Sequence, residues 1–234
     1  MLTAQKNRQL CKRQHGQSFV EMLIALPLLL MLIFGIIQWG FIYRSKITLN
    51  TSTELAARSG ALNFGQRSVI NRAFAQGMVP LFMQGDASLN GIVAANIKAR
   101  IAVAAQARLT ILNPSSGVWN RFNRRVIYPL EGRNGTVRNE ILNDNLMFRP
   151  STQQILNGGV RMNIQDANLL KIQVDWCEEL IVPVIGGLIV QAASGIIASA
   201  EQLRCNGVAR ARGKPLLAMQ SIATYRMQTP FRNR

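Results

Sequence analysis

The longest apolar stretch of the chain lies near its start. From Met22 to Tyr43 no residue is charged, and Glu21 stands immediately before this stretch. At about 1.5 Å per helical residue the stretch spans roughly 33 Å, which is enough to cross the core of a bilayer. The pattern therefore predicts one membrane-spanning helix with a carboxylate in its first turn. Unless a cation pairs with it, that carboxylate costs on the order of a few kcal/mol, which predicts a functional role for Glu21.

Two features modify this predicted helix. Pro27 should kink or loosen it, because proline lacks the backbone N–H and clashes with the preceding turn. Beyond the apolar stretch, the segment from Ile47 to Leu62 keeps apolar residues near one face, and Gly60 is typical of a helix end. We therefore expect one helix to continue from the membrane into the following domain.

Two shorter helices are predicted next, each from apolar residues that recur every four positions. Such stripes predict the side of each helix that faces the core. The first stripe is Ile70, Phe74 and Met78, and the second is Val93, Ile97, Ile101 and Ala105.

The second half of the chain predicts an antiparallel sheet. Residues 170–176 alternate strictly, so that Leu170, Ile172, Val174 and Trp176 face one side. A second alternating segment places Leu217, Met219, Ala223, Tyr225 and Met227 on one face. A short strand is also predicted at 109–112, and the irregular segment 118–159 is predicted to form a long loop. The predicted fold class is α+β, with a long N-terminal transmembrane helix and short helices packed on a small antiparallel sheet.

The residues before the apolar stretch form a motif. A short run with four basic residues and no acid ends at Gly16, and Gln17-Ser18-Phe19-Val20-Glu21 follows. This arrangement resembles the class III signal of type IV prepilins and pseudopilins. The resemblance implies that prepilin peptidase cleaves after Gly16, so that Gln17 becomes the first residue and Glu21 the fifth.

Further residues resemble one branch of that class. Leu26-Pro27-Leu28-Leu29-Leu30, Phe34-Gly35-Ile36-Ile37 and the later 55–61 segment are similar to the TadE-like proteins of the tight-adherence pilus. The resemblance covers about the first 60 residues. It implies a leader at 1–16, a transmembrane and assembly helix at 17–46, and an exported domain at 47–234. The domain is expected on the periplasmic side of a bacterial inner membrane, with the N-terminus in the cytoplasm, because the leader carries more basic residues than Arg44 and Lys46 at the far end.

Two simpler interpretations of the N-terminus remain open. The basic run and apolar stretch are also compatible with an uncleaved signal anchor. A conventional secretory signal peptide fits less well, because its apolar core is about 7–15 residues long and is followed by a small-residue cleavage site.

Composition narrows the possible functions. The chain has 234 residues and a net charge of +16, which falls to +12 once the four basic residues of the leader are removed. The basic residues are scattered, with neither a strongly basic helix nor an aromatic stacking motif, so nucleic-acid binding is not predicted. A basic surface facing membrane lipid or another anionic envelope component is the simpler interpretation.

Histidine and cysteine usage argues against an enzyme. The single histidine, His15, and one cysteine, Cys11, fall in the predicted leader. The processed chain would therefore lack a catalytic histidine and any histidine-based zinc site, and no catalytic residue, metal site or cofactor is predicted. The two remaining cysteines, Cys177 and Cys205, predict a disulfide in an oxidising compartment.

These cysteines flank a second apolar stretch, Leu180 to Ala200, within an insert at 178–204. A disulfide would place both of its ends on one side of the membrane, and two helical crossings need roughly 40 residues. The stretch is therefore predicted to be an apolar helix or hairpin. It could dock on the sheet, rest on the membrane, or pack between subunits.

The resemblance implies a minor pilin or pseudopilin of a tight-adherence pilus that assembles through its N-terminal helix. Its implied partners are prepilin peptidase, other pilins or pseudopilins, the inner-membrane platform of the pilus machine, and a more distant assembly ATPase. The alternative is a signal-anchored periplasmic envelope or secretion-system component that never enters a filament.

Overall fold

The structure is a computed structural model that describes residues 17–83, 85, 88–129, 136–156, 159–182, 185–196 and 199–232. The predicted leader, with its cleavage residue Gly16, lies outside these described residues. The fold is α+β, as predicted, with a long N-terminal helix followed by a domain of helices and small antiparallel sheets.

The described residues form seven α-helices and seven β-strands. The helices are α1 (Gln17–Leu62), α2 (Arg67–Gly77), α3 (Leu89–Gln106), α4 (Ser116–Phe122), α5 (Ile164–Ala167), α6 (Ile185–Ile196) and α7 (Ala200–Arg212). The strands are β1 (Ala107–Asn113), β2 (Asn123–Tyr128), β3 (Thr136–Ile141), β4 (Gln154–Ile155), β5 (Arg161–Met162), β6 (Leu169–Glu179) and β7 (Leu216–Arg226). Two 3₁₀ turns lie at Val79–Leu81 and Leu146–Phe148.

A three-stranded antiparallel sheet with the order β1-β6-β7 is the centre of the domain. The alternation predicted for β6 is confirmed, because its four apolar residues from Leu170 to Trp176 are fully buried on one face. On β7, Met219 pairs with Trp176, and Met219 and Ala223 are buried as predicted, whereas Tyr225 near the strand end is exposed. Alternation in the sequence thus identified the face on which the main core forms.

The second half of α1 packs on this face of the sheet, and α2 packs alongside α1. Gly60 of α1 lies so close to α2 that a Cβ there would be 2.7 Å from Ile70 Cγ1, and a Cβ on Gly77 would be 2.8 Å from the Ser52 Cα. These two contacts make the helices antiparallel neighbours. The first predicted stripe is confirmed as core, since Ile70, Phe74 and Met78 are buried.

The apolar stripe predicted to be the buried face of α3 is wrong, because it is the exposed face of this helix. Val93, Ile97 and Ile101 are each more than half exposed, and Ala105 is exposed as well. The buried face of α3 consists of Ala95, Ala99, Ala102 and Gln106. Alanine packs closely against a neighbouring element, and this close packing, rather than side-chain hydrophobicity, determines the orientation of the helix.

The long loop predicted at 118–159 is also wrong. This part of the chain contains α4, a β2–β3 hairpin and the short strand β4. The hairpin strands have few apolar residues and expose much of their surface, so they lack the alternating pattern that identifies a half-buried strand. They are held to the domain by Ile141, which bridges to Phe231 near the C-terminus.

Candidate functional site

The first part of α1 projects from the domain. Every residue from Phe19 to Phe34, here called the free segment, is exposed, and at 1.5 Å per residue it is about 24 Å long. Within the described part of the chain, α1 is the one helix that is long and apolar enough to cross a membrane. Pro27 lies inside this helix, which continues on both sides of it. The free segment therefore fits a membrane anchor.

Glu21 lies near the start of the free segment. Its side chain is exposed, and among the described residues no cation pairs with it. The carboxylate is thus carried by an apolar helix without any internal compensation.

Beyond the free segment, one face of α1 packs on the domain. Its buried or half-buried residues recur every three or four positions, as expected for one helical face. They include Gln38, Ile42, Ser45, Leu49, Ser52, Ala56 and Gly60, and the adjacent Thr53, Ala57 and Ala61 are fully buried as well. Small and hydroxyl-bearing residues dominate this stripe, which allows the sheet and α2 to approach the helix closely. The hydroxyls of Ser52 and Thr53 donate to carbonyls one turn earlier, so their burial leaves no donor unpaired.

Three side chains of α1 bind the membrane-proximal edge of the domain, and we call this set of contacts the junction. Gln38 is only 1% exposed, and its Oε1 accepts a hydrogen bond of 2.9 Å from the Val182 backbone N–H. The Lys46 ammonium donates to the Gln220 carbonyl on β7. Ser45 Oγ donates to Glu178 Oε1 on β6 at 2.6 Å. The junction fixes the direction in which the free segment leaves the domain.

The Glu178 carboxyl is the titratable group at the centre of the junction. Its burial raises its pKa above the ordinary range, while hydrogen bonds from Ser45 and Trp176 and the charge of Arg44 act in the opposite direction. The two hydrogen bonds occupy different carboxyl oxygens, since Trp176 Nε1 donates to Oε2 at 2.6 Å.

The predicted disulfide is present. Cys177 and Cys205 are bonded, with their Cα atoms 5.5 Å apart and both side chains fully buried. With Leu216 they form a second, smaller core on the reverse face of the sheet, beneath α7. The bond therefore attaches α7 to β6, and it closes the loop that contains α6.

The second apolar stretch divides between two helices. Most of it is α6, which contacts α1, α7 and β7, and its last residue begins α7. Gly186 packs against the residues that follow β6 and precede β7, because a Cβ there would lie 2.9 Å from Leu180 Cβ and 3.4 Å from Pro215 Cγ. Helix α6 is thus docked at one end of the sheet, and part of its surface is not covered by the described residues.

The family comparison concerns this same helix. A family model described as TadE-like protein matches residues 16–58. The N-terminal region of the chain is thus similar to TadE-like proteins. The match includes Gly16, the free segment and most of the packed stripe, and it ends within α1, so the rest of the domain lies outside it. No curated protein and no solved structure matches the chain.

The TadE-like match is confined to residues 16–58, the N-terminal part of the chain. It also covers four of the residues predicted to be functional. Gln17 begins α1, Glu21 and Pro27 lie on the free segment, and Gly16 falls outside the described residues. The structure keeps Gln17, Glu21 and Pro27 apart from the disulfide, which lies in the domain.

Sequence reasoning missed the junction of this TadE-like helix. One signal could have identified it, because Gln38 carries the sole amide side chain between Met22 and Tyr43. A buried amide needs a hydrogen-bond partner, which predicts that other protein segments reach this level of the helix. Ser45 and Glu178 carry no such signal. In the described ranges, no group of three or more His, Cys, Asp or Glu residues is arranged to hold a metal ion.

Proposed function

We propose that this protein is a minor pilin or pseudopilin of a tight-adherence pilus system. The observation that carries the proposal is the free segment, an apolar helix that projects from the domain and bears Glu21 at its start. The family match over residues 16–58 supports it, because the match falls on this helix rather than on the rest of the domain. In this proposal the N-terminal part of α1, with the free segment at its start, spans the inner membrane and the domain lies in the periplasm.

Processing is the first step of the proposed mechanism. Prepilin peptidase cleaves after Gly16 and removes the basic leader, residues 1–16. The new N-terminus is the α-amine of Gln17, four residues before Glu21 and therefore about one helical turn away. Cleavage thus gives each subunit an N-terminal amine that can pair with Glu21 of a neighbouring subunit.

Assembly is the second step. A carboxylate in the apolar part of the bilayer costs on the order of a few kcal/mol when it is unpaired. The amine of a neighbouring subunit relieves this cost when Glu21 docks against it, so the charge pair sets the register between adjacent helices. Other pilins or pseudopilins and the inner-membrane platform are the partners of this step, and membrane lipid surrounds the helix before it.

The assembly step is tested by comparing two carboxylates of α1. Glu21→Gln removes the charge in the free segment, whereas Glu54→Gln removes an exposed charge that lies beyond the junction. We expect Glu21→Gln to reduce the amount of protein in sheared pili, or pilus output, by at least tenfold at unchanged membrane level. Glu54→Gln should behave like wild type. Equal incorporation of the two variants would refute the role of Glu21.

Processing is tested by the mass and N-terminal residue of the protein recovered from membranes. Wild type should begin at Gln17, and Gly16→Arg should accumulate as the full-length precursor. Recovery of a wild-type chain that begins at Met1, in cells with an active peptidase, would contradict the proposal. If the protein is processed but absent from sheared pili, it acts in the membrane as an assembly component and does not enter the filament.

A further inference from the structure

The length of the free segment determines how deeply the domain lies in a membrane. A hydrocarbon core about 30 Å thick needs about 20 helical residues, and the free segment supplies only about 24 Å of helix. If the core begins at Met22, directly after Glu21, its outer boundary falls near Phe41. The difference must come from α1 residues that already lie alongside the domain.

Gln38 fixes which part of the domain lies at that depth. It stands three residues before Phe41 and is therefore about 5 Å inside the boundary. Its side chain leans toward the N-terminus of the helix, as all helical Cα–Cβ bonds do, and thus toward the membrane centre. Because its Oε1 accepts from the Val182 N–H at 2.9 Å, the backbone at 182 lies at the same depth.

The residues around Val182 have the composition of a membrane-inserted segment. Ile181 is 62% exposed, Leu188 is 44% exposed, and no residue from 180 to 200 is charged. The exposed positions of α6 lie on one face, because Gly187, Leu188, Gln191, Ala192 and Gly195 recur at helical spacing. An uncharged face at this level meets lipid without desolvating an ion.

Basic side chains lie beside Ile181. One groove is lined by Ile181 together with the cations Arg44, Lys98, Arg212 and Lys214, which outnumber the two carboxylates of the groove, Glu178 and Glu179. Lys214 pairs with Glu179. Arg44 follows the expected hydrocarbon boundary by about three residues, which is the level of the lipid headgroups. Cations at this level interact favourably with anionic headgroups, and they mark where the apolar surface ends.

We propose that Ile181 and the exposed face of α6 insert into the outer leaflet of the membrane, about 5 Å below the headgroup boundary. The domain then sits partly in the bilayer, with α6 replacing lipid on the Gln38 side of α1. This depth is typical of helices that lie in a membrane interface. The inference rests on the proposed function in one respect, which is that the N-terminal part of α1 spans the membrane.

The test is the environment of a spin label on single-cysteine variants of the full chain in phosphatidylcholine and phosphatidylglycerol vesicles. In a Cys11→Ser background the Cys177–Cys205 disulfide remains, so Ile181→Cys or Leu188→Cys supplies the one free thiol. Leu28→Cys, in the middle of the free segment, reports whether α1 is inserted. Leu62→Cys, about 30 Å beyond the boundary on the same helix and 49% exposed, is the matched control in water.

We expect the labels at Ile181 and Leu188 to collide with oxygen several-fold more than with a water-soluble nickel complex, as at Leu28, and the label at Leu62 to show the reverse. A label at Leu188 that favours nickel would overturn the inference. Low collision rates with both reagents would also overturn it, because they indicate cover by protein. If the label at Leu28 collides more with nickel than with oxygen, membrane anchoring itself fails. If the labels at Ile181 and Leu188 favour nickel while the label at Leu28 favours oxygen, α1 is anchored in the membrane but α6 is not inserted. Correct folding of each variant is checked by protease resistance and by the intact disulfide.

Discussion

Ser45 of the N-terminal helix and Glu178 of the central strand are joined by a hydrogen bond of 2.6 Å, although 133 residues separate them in the chain. Ser45 lies just beyond the apolar stretch, and Glu178 lies at the end of β6 nearest to it. With the hydrogen bond from Trp176, this contact attaches the membrane helix to the centre of the sheet. A polar pair at this position fixes the helix direction more specifically than apolar contacts would, because hydrogen bonds require defined geometry.

The first prediction is that Glu178 makes the stability of the domain pH-dependent. Burial raises the pKa of this carboxyl above its ordinary value of 4.5. The folded state therefore binds the proton more tightly than the unfolded state does. This contribution to the free energy of unfolding is complete below pH 4.5, and it is lost as the pH rises through the pKa of the folded state.

Glu178→Gln removes this titration and keeps a side chain that can accept from Trp176 and donate to Ser45. We expect the melting temperature of this variant to exceed that of wild type at pH 7.5, and the difference to shrink as the pH falls toward 4.5. Thermal unfolding in detergent between these pH values measures the effect. Glu179→Gln removes the adjacent carboxylate, which pairs with Lys214 at the surface, and serves as the control for charge loss. A difference between Glu178→Gln and wild type that is constant with pH would contradict the prediction.

The second prediction concerns the two faces of α3. Ile97 is 55% exposed and Ala99 is fully buried, although hydrophobic periodicity alone predicts the opposite arrangement. We expect Ile97→Gln to change the free energy of unfolding by less than about 0.5 kcal/mol. Ala99→Gln should lower it by about 1–3 kcal/mol, since a larger polar side chain does not fit a close helix contact. Denaturant unfolding of the two variants measures both values, and a larger loss for Ile97→Gln would show that α3 is oriented the other way.

Part of this fold could be predicted from the sequence because some of its patterns have one physical cause. The alternation of Leu170, Ile172, Val174 and Trp176 arises only from a strand with one buried face, and the structure has that strand. The uncharged apolar stretch after Glu21 likewise predicts one long apolar helix, and the structure has that helix. In α3, by contrast, close approach to neighbouring elements favours alanine, so the largest apolar residues do not identify the buried face.

Some residues of the candidate site can likewise be predicted from the sequence, and others cannot. Glu21 is identifiable because a charge beside an apolar stretch is rare, and the cysteine pair because two thiols remain in the expected exported domain. Ser45 and Glu178 are ordinary polar residues far apart in sequence, and their contact depends on how α1 packs across β6. Such a long-range contact leaves no local pattern in the chain, so it could not be predicted from the sequence.

The third prediction concerns a buried ion pair that attaches the C-terminal segment to the hairpin. Arg232 Nε lies 3.0 Å from Glu140 Oε2, and both residues are less than 10% exposed. The Arg232 guanidinium also stacks 3.7 Å above the Phe64 ring, and Tyr128 donates to the same carboxylate. Arg232→Leu should therefore lower the free energy of unfolding by about 3–5 kcal/mol, because it leaves Glu140 buried without its cation.

The matched control for Arg232 is Arg149, which pairs with Asp144 at 2.8 Å at a more exposed site. Arg149→Leu is expected to cost less than about 1 kcal/mol, as exposed ion pairs do. Denaturant unfolding followed by circular dichroism compares the two variants. Similar losses for both would indicate that burial of the Arg232 pair does not determine its contribution.

The fourth prediction is that the disulfide stabilises the domain and holds α6 on the same side of the membrane as the sheet. Cys177 and Cys205 are 28 residues apart, and closing a loop of this length contributes roughly 3–4 kcal/mol by restricting the unfolded chain. Cys177→Ser should therefore produce a less stable and more protease-sensitive domain, and Cys205→Ser should do the same. Cys11→Ser, in the predicted leader, is the control that removes a cysteine without breaking this bond.

Thiol labelling of the denatured wild-type protein should reveal the paired thiols only after reduction, and a reporter fused after Arg234 should be periplasmic. If the unreduced full-length chain has two reactive thiols in addition to Cys11, the disulfide is absent. If the reporter is cytoplasmic, the single-span topology is wrong.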